Sequence, residues 1–442
     1  MFVKRYETII LSVVPAILLY FAFSKFNLWF LAFPALFILS FIRNFKYWFL
    51  CGFTFFFLSL LWLRIAMIDY GGVFPLIAYF LIALLSAILV FLQFGISWLL
   101  WKFSSFNLFL LPFFWVVAEI LRSHFPYGGF PWFLIGEMLI DFPLLKYYLT
   151  AGGVYLGSLI GWYLAILPRF LINFKIIAVV VIFVLPLFFL NTSYKNVPSL
   201  KIAVIQPAVP EEIKLRKEEF YKLLPQYWKL IERAIEKNPD IILLPESAFP
   251  FTASYLYSEG KKLLKYSEKA LVITGLIDIR YGKEGLQPYN SVFLLHKGRV
   301  VDFYDKVKLL PFGEYVPFPF GFTKEIFGAI GGIDYVPGDD IKCMKVGDLH
   351  LATPICFEIS YFSFIKKAAR CADLLVVVTN DAWFRDSDGT FQHLRQAQLR
   401  ALENRMYVVW VNNTGPSAVI SPEGKILKKI PYGKREFLIY SF

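Results

Sequence analysis

The sequence predicts two architectures in one chain: a multi-span bundle of transmembrane helices over residues 1–194, and an α/β domain over residues 195–442. Three observations lead there. Hydrophobic residues make up 58% of the 442, too large a share for one ordinary water-soluble domain. Charge is sorted along the chain, since residues 1–194 hold 16 of the 78 Asp, Glu, Lys and Arg side chains and residues 195–442 hold the other 62. A charge at the bilayer centre costs roughly 3 kcal/mol or more, whereas a charge on a wet surface costs little. The third observation is a change of pattern. From Leu200 onward, long apolar runs give way to short β-rich runs alternating with amphipathic helical segments, as in an α/β domain rather than in further spans.

In the first half, seven runs are long and apolar enough to cross about 30 Å of hydrocarbon: residues 8–23, 26–42, 47–67, 74–101, 106–121, 148–170 and 174–191. The fourth is long enough to tilt or kink. The Met-Phe-Val-Lys-Arg start resembles the charged region of a signal peptide, but no small-residue cleavage site follows, so an uncleaved first helix is expected. If the spans alternate, Lys4, Arg5, Arg43, Lys46, Lys102, Arg169 and Lys175 fall on one side and fewer cations on the other. By the positive-inside tendency the N-terminus is then cytoplasmic and the polar half lies outside. Residues 122–132, rich in Pro, Gly and aromatics, read either as a lipid entry or as an interfacial aromatic belt. Glu119 and Glu137 stand in apolar surroundings, where a carboxylate is costly.

The net charge of +12 divides into +6 for each half. Neither half has the concentrated basic stripe of a nucleic-acid binder, so no nucleic-acid partner is expected. A mildly basic surface facing lipid headgroups and a merely solvated surplus both remain open. Cys51, Cys343, Cys356 and Cys371 form no CxxC pair and no metal-like spacing with histidine, so no metal site is expected. Spacing alone leaves open whether any two of them pair.

In the second half, strands are expected from Leu200, Asp240, Leu271, Tyr289, His350, Asp373 and Met406, and at the closing Arg-Glu-Phe-Leu-Ile-Tyr-Ser-Phe. Helices are expected over 212–237, 360–371 and 391–405. The near-continuous apolar character of the strands suits sheets covered on both faces. Three polar residues fall where such sheets expose strand ends. Cys356, in Ala-Thr-Pro-Ile-Cys-Phe-Glu, ends an apolar run just before a helical segment. Its sulfur would stand in a sharp turn near backbone N–H groups that favour a thiolate and an oxyanion. Glu246, after Leu-Leu-Pro, is a candidate general base whose burial would raise its pKa. Lys306, in Tyr-Asp-Lys-Val-Lys-Leu-Leu-Pro-Phe-Gly-Glu, could hold positive charge where oxygen becomes negative. Taken singly, each also reads as an ordinary core cysteine, cap or surface lysine.

Together these segments resemble the nitrilase superfamily, whose Glu, Lys and Cys occur in this order. The match runs from Leu200 to about Ser441 and implies a nitrilase-like four-layer α-β-β-α sandwich. With the multi-span half added, the whole chain resembles the bacterial apolipoprotein N-acyltransferase family, through residues 304–318, Pro354–Ser360, Thr379-Asn-Asp-Ala-Trp-Phe384 and Gln392–Arg405. The resemblance implies Glu246, Lys306 and Cys356 as catalytic triad and Glu314 and Glu358 as accessory, substrate-positioning carboxylates. It implies no cofactor and a ping-pong reaction in the bacterial inner membrane with the catalytic domain on the periplasmic side. Cys356 would take an acyl chain from a phospholipid, typically phosphatidylethanolamine, as a thioester and pass it to the N-terminal amine of a diacylglyceryl-modified lipoprotein. Asn290, Asn380, Asp381, Trp383, His393 and Arg395 lie in family-like motifs as support, and His393 is expected to be a packed or capping imidazole. Three departures stand out. The family commonly has a final transmembrane helix where this chain closes on an expected strand, leaving the N-terminal spans as the expected anchor. Leu215 stands where a Trp is frequent, and Phe357 where a Tyr is frequent. Two other readings are a membrane-tethered amidase with the same triad and a non-catalytic domain that binds lipoproteins or organises a membrane assembly.

Overall fold

The computed structural model describes residues 9–170, 193–282, 285–323 and 334–442. The chain folds into two compact units. One comprises Met1–Arg64, Phe74–Ser193 and Ser387–Arg395, the other Ile65–Val73, Tyr194–Asp386 and Gln396–Phe442.

The first unit is helical: α1 (Val14–Phe23), α2 (Ala32–Leu39), α3 (Phe45–Ser59), α4 (Pro75–Val90), α5 (Ile96–Phe103), α6 (Leu111–His124) and α7 (Tyr147–Ile166). A π-turn at Phe91–Gly95 joins α4 to α5, giving a helical stretch from Pro75 to Phe103, and a 3-10 turn extends α7 to Arg169. Among the described residues these two stretches, of 29 and 23 residues, are long and apolar enough to cross a membrane. They coincide with the fourth and sixth expected spans. The first three fall on shorter apolar segments, Ile10–Phe23, Trp29–Leu39 and Phe45–Ser59, and the fifth on the 14-residue α6. The expected span at 174–191 lies outside the described residues. Local polar residues explain the breaks. Asn27 adopts a positive φ of 50° after α1, and the Asn44 side chain caps α3 by accepting from the Lys46 N–H at 2.9 Å. On α4 the residues Leu76, Phe80, Leu84 and Ile88 form an exposed apolar stripe at four-residue spacing, while Ala78, Ile82, Ser86 and Leu89 are buried.

Within this unit the loop after α6 turns inward. Trp132 and Phe133 are buried, and the Phe133 ring meets Phe23, Phe55 and Phe56. Buried Arg122 ties the loop down by donating to the carbonyls of Phe130 and Trp132 at 2.7 and 2.8 Å. Glu119 accepts from Trp115 Nε1 at 3.0 Å and from the Ile135 N–H at 2.9 Å, and Glu137 accepts from the Leu134 N–H at 3.1 Å. Both carboxylates thereby satisfy backbone where no water reaches. The loop backbone also approaches α7 closely: a Cβ on Gly136 would lie 2.0 Å from the Val154 carbonyl.

The second unit is an α/β fold with two six-stranded sheets. The first runs in the order β12 (Glu436–Ser441), β1 (Lys201–Gln206), β2 (Ile241–Leu243), β3 (Leu271–Gly282), β4 (Gly285–His296), β5 (Arg299–Asp305). The second runs β11 (Ile426–Ile430), β10 (Ser417–Ile420), β9 (Val408–Asn412), β8 (Leu374–Thr379), β7 (Leu349–Ala352), β6 (Met344–Val346). In each sheet three central strands are parallel and the outer pairs antiparallel. Helix α8 (Glu211–Lys214) precedes α9 (Lys217–Ile235), whose Phe220, Leu224, Tyr227 and Ile231 pack with Ala203, Ile205, Ile242 and Val272 of the first sheet. Helix α10 (Lys261–Tyr266) joins that cluster, and α11 (Phe362–Cys371) packs against β7. Strands β1 and β9 are in contact, so the sheets face each other with helices outside. Strands β8, β9 and β10 are buried throughout, as their unbroken apolar runs require.

Cys343 and Cys371 are joined by a disulfide, which closes a separation of 28 residues, while Cys51 and Cys356 are free. The bridge fastens the segment before β6 to the end of α11. Alkylation of the denatured, unreduced protein is therefore expected to label two thiols and, after reduction, four; labelling of all four before reduction would contradict the bridge.

Candidate active site

The first lower wall of the site is built where β2 ends. Pro245 cannot continue the ladder, and Ser247 takes a positive φ of 45°, so the chain turns sharply around Glu246. Gly275 of β3 backs this turn. The Gly275 N–H donates to the Pro245 carbonyl at 3.1 Å, and the Ala248 N–H to the Gly275 carbonyl at 2.9 Å. A Cβ on Gly275 would lie 2.7 Å from Glu246 Cα, so the close approach requires glycine. Lys306 immediately follows β5, its N–H donating to the Asn290 carbonyl of β4 at 2.9 Å. Cys356 opens a 3-10 turn after β7, with Ile355 bridged to Val378 of β8 and Cys356 itself at a positive φ of 52°. A non-glycine residue in that region is strained, and here it is the residue the sequence singles out as nucleophile.

These turns converge on one cavity of about 310 Å³, lined among others by Glu246, Lys306, Glu314 and Cys356. The Lys306 side chain is 1% exposed, and its ammonium lies 2.7 Å from Glu314 Oε2. Asn290 Nδ2 donates both to Glu246 Oε1 at 2.7 Å and to Glu314 Oε1 at 3.0 Å, and the Leu310 N–H donates to Glu314 Oε2 at 2.8 Å. Glu314 thus grips the lysine while sharing Asn290 with Glu246. Burial opposes the charge on Lys306, but Glu314, Cys356 and Glu246 outweigh it and hold the ammonium above the ordinary lysine range. Burial pushes Glu246 above the usual carboxylate range against the pull of Lys306. Burial also pushes the Cys356 thiol well up, with Glu246 adding to the shift and Lys306 opposing it. A thiol that gives up its proton less readily and a carboxyl of raised basicity thus line the same cavity.

Glu358 is elsewhere. It is fully buried and does not line the cavity. Its carboxylate accepts from the N–H groups of Val307 and Lys308 at 2.8 and 2.9 Å, from that of Ile355 at 2.8 Å, and from the Tyr304 hydroxyl at 2.9 Å. One side chain thus ties the loop following Lys306 to the residue preceding Cys356. This geometry fits fastening of the site; the sequence expectation for Glu358 is that of an accessory, substrate-positioning carboxylate. Burial raises its pKa to about 7, although the backbone donors favour the charge. Among the supporting residues, Asn380 Nδ2 donates to Glu211 at 2.7 Å and Asn412 Nδ2 to Asp381 at 2.6 Å. Phe357 is buried edge-on against Tyr361, while Leu215 and Trp383 line the cavity. In the other unit His393 packs against Trp132 and Arg395 pairs with Asp141 at 2.6 Å. Gly275 and Lys214, a second lysine of the cavity lining, carry no local sequence signal of a role.

Cys356, Glu246 and Lys306 converge at strand ends on one cavity, and residues 201–441 match the carbon-nitrogen hydrolase family model. Residues 15–167 match the apolipoprotein N-acyltransferase N-terminal domain. The chain is 46% identical to the apolipoprotein N-acyltransferase of Aquifex aeolicus over 100% of both chains, and 31% identical to that of Haemophilus ducreyi over 85% of this chain and 78% of the relative. It belongs to the apolipoprotein N-acyltransferase family. Saccharomyces cerevisiae Nit3, of the nitrilase superfamily, aligns with a TM-score of 0.42 at 18% identity, over 57% of this chain and 92% of that one.

Two outcomes follow from the geometry. Gly275→Ala is expected to displace Glu246 and lower turnover at least ~10-fold while the protein still folds; unchanged kcat with a normal melting curve would contradict this. Glu358→Ala strands the buried Ile355 N–H and Tyr304 hydroxyl and frees the half-buried loop at Val307 and Lys308, and is expected to cost about 2 kcal/mol or more, read as a fall in Tm.

Proposed function

We propose that this chain N-acylates apolipoproteins in two half-reactions carried by Cys356. In the first, Glu246 takes the thiol proton as sulfur attacks the ester carbonyl of a phospholipid such as phosphatidylethanolamine. The carbonyl–oxygen bond to glycerol breaks, the proton passes to the leaving alkoxide, and a lysophospholipid departs from an acyl thioester. In the second, the α-amine of a diacylglyceryl-modified N-terminal cysteine attacks the thioester. Glu246 accepts the amine proton and returns it to sulfur, leaving an amide and the free thiol. Lys306 offsets the negative charge on the carbonyl oxygen in both tetrahedral intermediates, and Glu314 holds the lysine in place. Glu358 acts as a positioning residue.

One observation carries this reading: in a chain of this family, Glu246, Lys306 and Cys356 line one cavity, with the lysine sealed from water. We further propose that residues 1–194 form the multi-span membrane domain, that residues 195–442 form the catalytic domain, and that the latter faces the periplasm from the inner membrane. The apolar stretches Pro75–Phe103 and Tyr147–Arg169, the one-sided loop cations and the Cys343–Cys371 bridge support this, because bridges persist in oxidising compartments.

Incubated with phosphatidylethanolamine alone, detergent-purified protein is expected to gain one acyl mass that hydroxylamine removes, and Cys356→Ala is expected to gain none. An unmodified mass on folded protein whose Cys356 still alkylates would contradict the reading. Since Glu246 must be ionised to act as base and burial raises its pKa, thioester formation should fall as pH drops, with the acid limb lying above the ordinary carboxylate value. A flat profile across that range would exclude Glu246 as the base.

A further inference from the structure

Lys306 is not the only ammonium at the cavity. Lys214, which ends the short helix α8, lines it too. Its Nζ donates to the Glu246 carbonyl at 3.3 Å, and among the described residues no carboxylate lies within ion-pairing distance of it. The two lysines therefore differ in kind. Lys306 is neutralised in place by Glu314 at 2.7 Å, whereas Lys214 presents a cation toward the cavity with only a peptide oxygen as partner. Burial presses its proton affinity down, opposed by Glu211 and Glu246. The wall around it is largely apolar, with Leu215, Phe249, Pro250, Phe251 and Phe384, so an anion brought there meets a charge that water screens poorly.

The acyl-transfer reading, on which this inference rests, requires the cavity to take two lipids in turn. The donor carries a phosphodiester anion close to its ester. The reacting end of the acceptor carries an amine and no phosphate. We infer that Lys214 is a specificity-determining residue that binds the donor's phosphate and so distinguishes donor from acceptor. In the donor complex the ammonium exchanges a peptide oxygen for a charge-assisted hydrogen bond. Once the lysophospholipid has left, the same cation disfavours a protonated amine, so the acceptor is admitted as the neutral nucleophile that the second half-reaction needs.

The test uses the full-length protein in detergent and two donors with identical acyl chains, phosphatidylethanolamine and phosphate-free diacylglycerol. Thioester formation is followed by intact mass for the wild type, Lys214→Met and Lys214→Arg. Methionine keeps the aliphatic stem without the charge, and arginine keeps the charge. The ratio of the phosphatidylethanolamine rate to the diacylglycerol rate is expected to fall at least ~10-fold in Lys214→Met and to recover in Lys214→Arg. Equal slowing on both donors would overturn the inference and leave Lys214 as a support for Glu246; an unchanged ratio with unchanged rates would overturn it as well. Wild-type protein that forms no thioester from either lipid would sink the acyl-transfer reading, and this inference with it.

Discussion

The centre of the second unit follows from one constraint: the Lys306 side chain, with its ammonium, is only 1% exposed to water. An ion in that position is stable only if carboxylates and polar groups replace its hydration. Glu314 supplies the direct partner at 2.7 Å, and Asn290 links Glu314 to Glu246. Because these residues come from β4 and from turns after β2 and β5, the ammonium can be satisfied only when both turns close on it. Glu358 performs the complementary task from beneath, joining the backbone after Lys306 to the backbone before Cys356. The strained turn at Cys356, with a positive φ of 52°, is thereby held by bonds formed elsewhere in the unit, as such strain requires.

The same arrangement shows why some of this was legible in sequence and some was not. Glu246 and Cys356 each end an apolar run and Lys306 lies in a segment rich in Pro, Gly and aromatics, but singly each has an ordinary reading; it is the three segments together, through their resemblance to the nitrilase superfamily, that single them out. The seven strands read in the body of the second half and the closing one are present, since unbroken apolar runs such as Leu374–Thr379 leave few alternatives. Four strands lie outside that reading: β5 and β11, which carry charged residues and are mostly exposed or half-buried, and β6 and β10, which are only three and four residues long. Gly275 and Lys214 were illegible for a different reason. Their importance depends on which turn lies against which strand, and that is decided by sheet order rather than by any neighbour in sequence. For Glu358 the resemblance implies an accessory, substrate-positioning carboxylate; most of the donors that engage it, Tyr304, Val307 and Lys308, come from about fifty residues upstream, a pairing no local pattern shows.

In the first unit the discrepancy is one of length. Composition marks the apolar runs clearly, but caps and turns divide them, so helices such as α1 and α2 are shorter than the runs that contain them. Polar groups buried there answer to backbone: Arg122, Glu119 and Glu137 are all engaged with the loop that follows α6. The carboxylates that looked costly in sequence are where the inward-turned loop obtains its hydrogen bonds.

In the proposed reaction a single thiol carries the acyl group between two different lipids. The most direct measurement is a single turnover in two stages. Acyl-enzyme formed on Cys356 is freed of donor lipid and then mixed with a diacylglyceryl-modified lipopeptide having a free N-terminus. One acyl amide per acyl-enzyme is expected, with the protein returning to its unmodified mass while no donor is present. Loss of the acyl group as free fatty acid, or transfer only when phospholipid is supplied again, would contradict the proposed reaction.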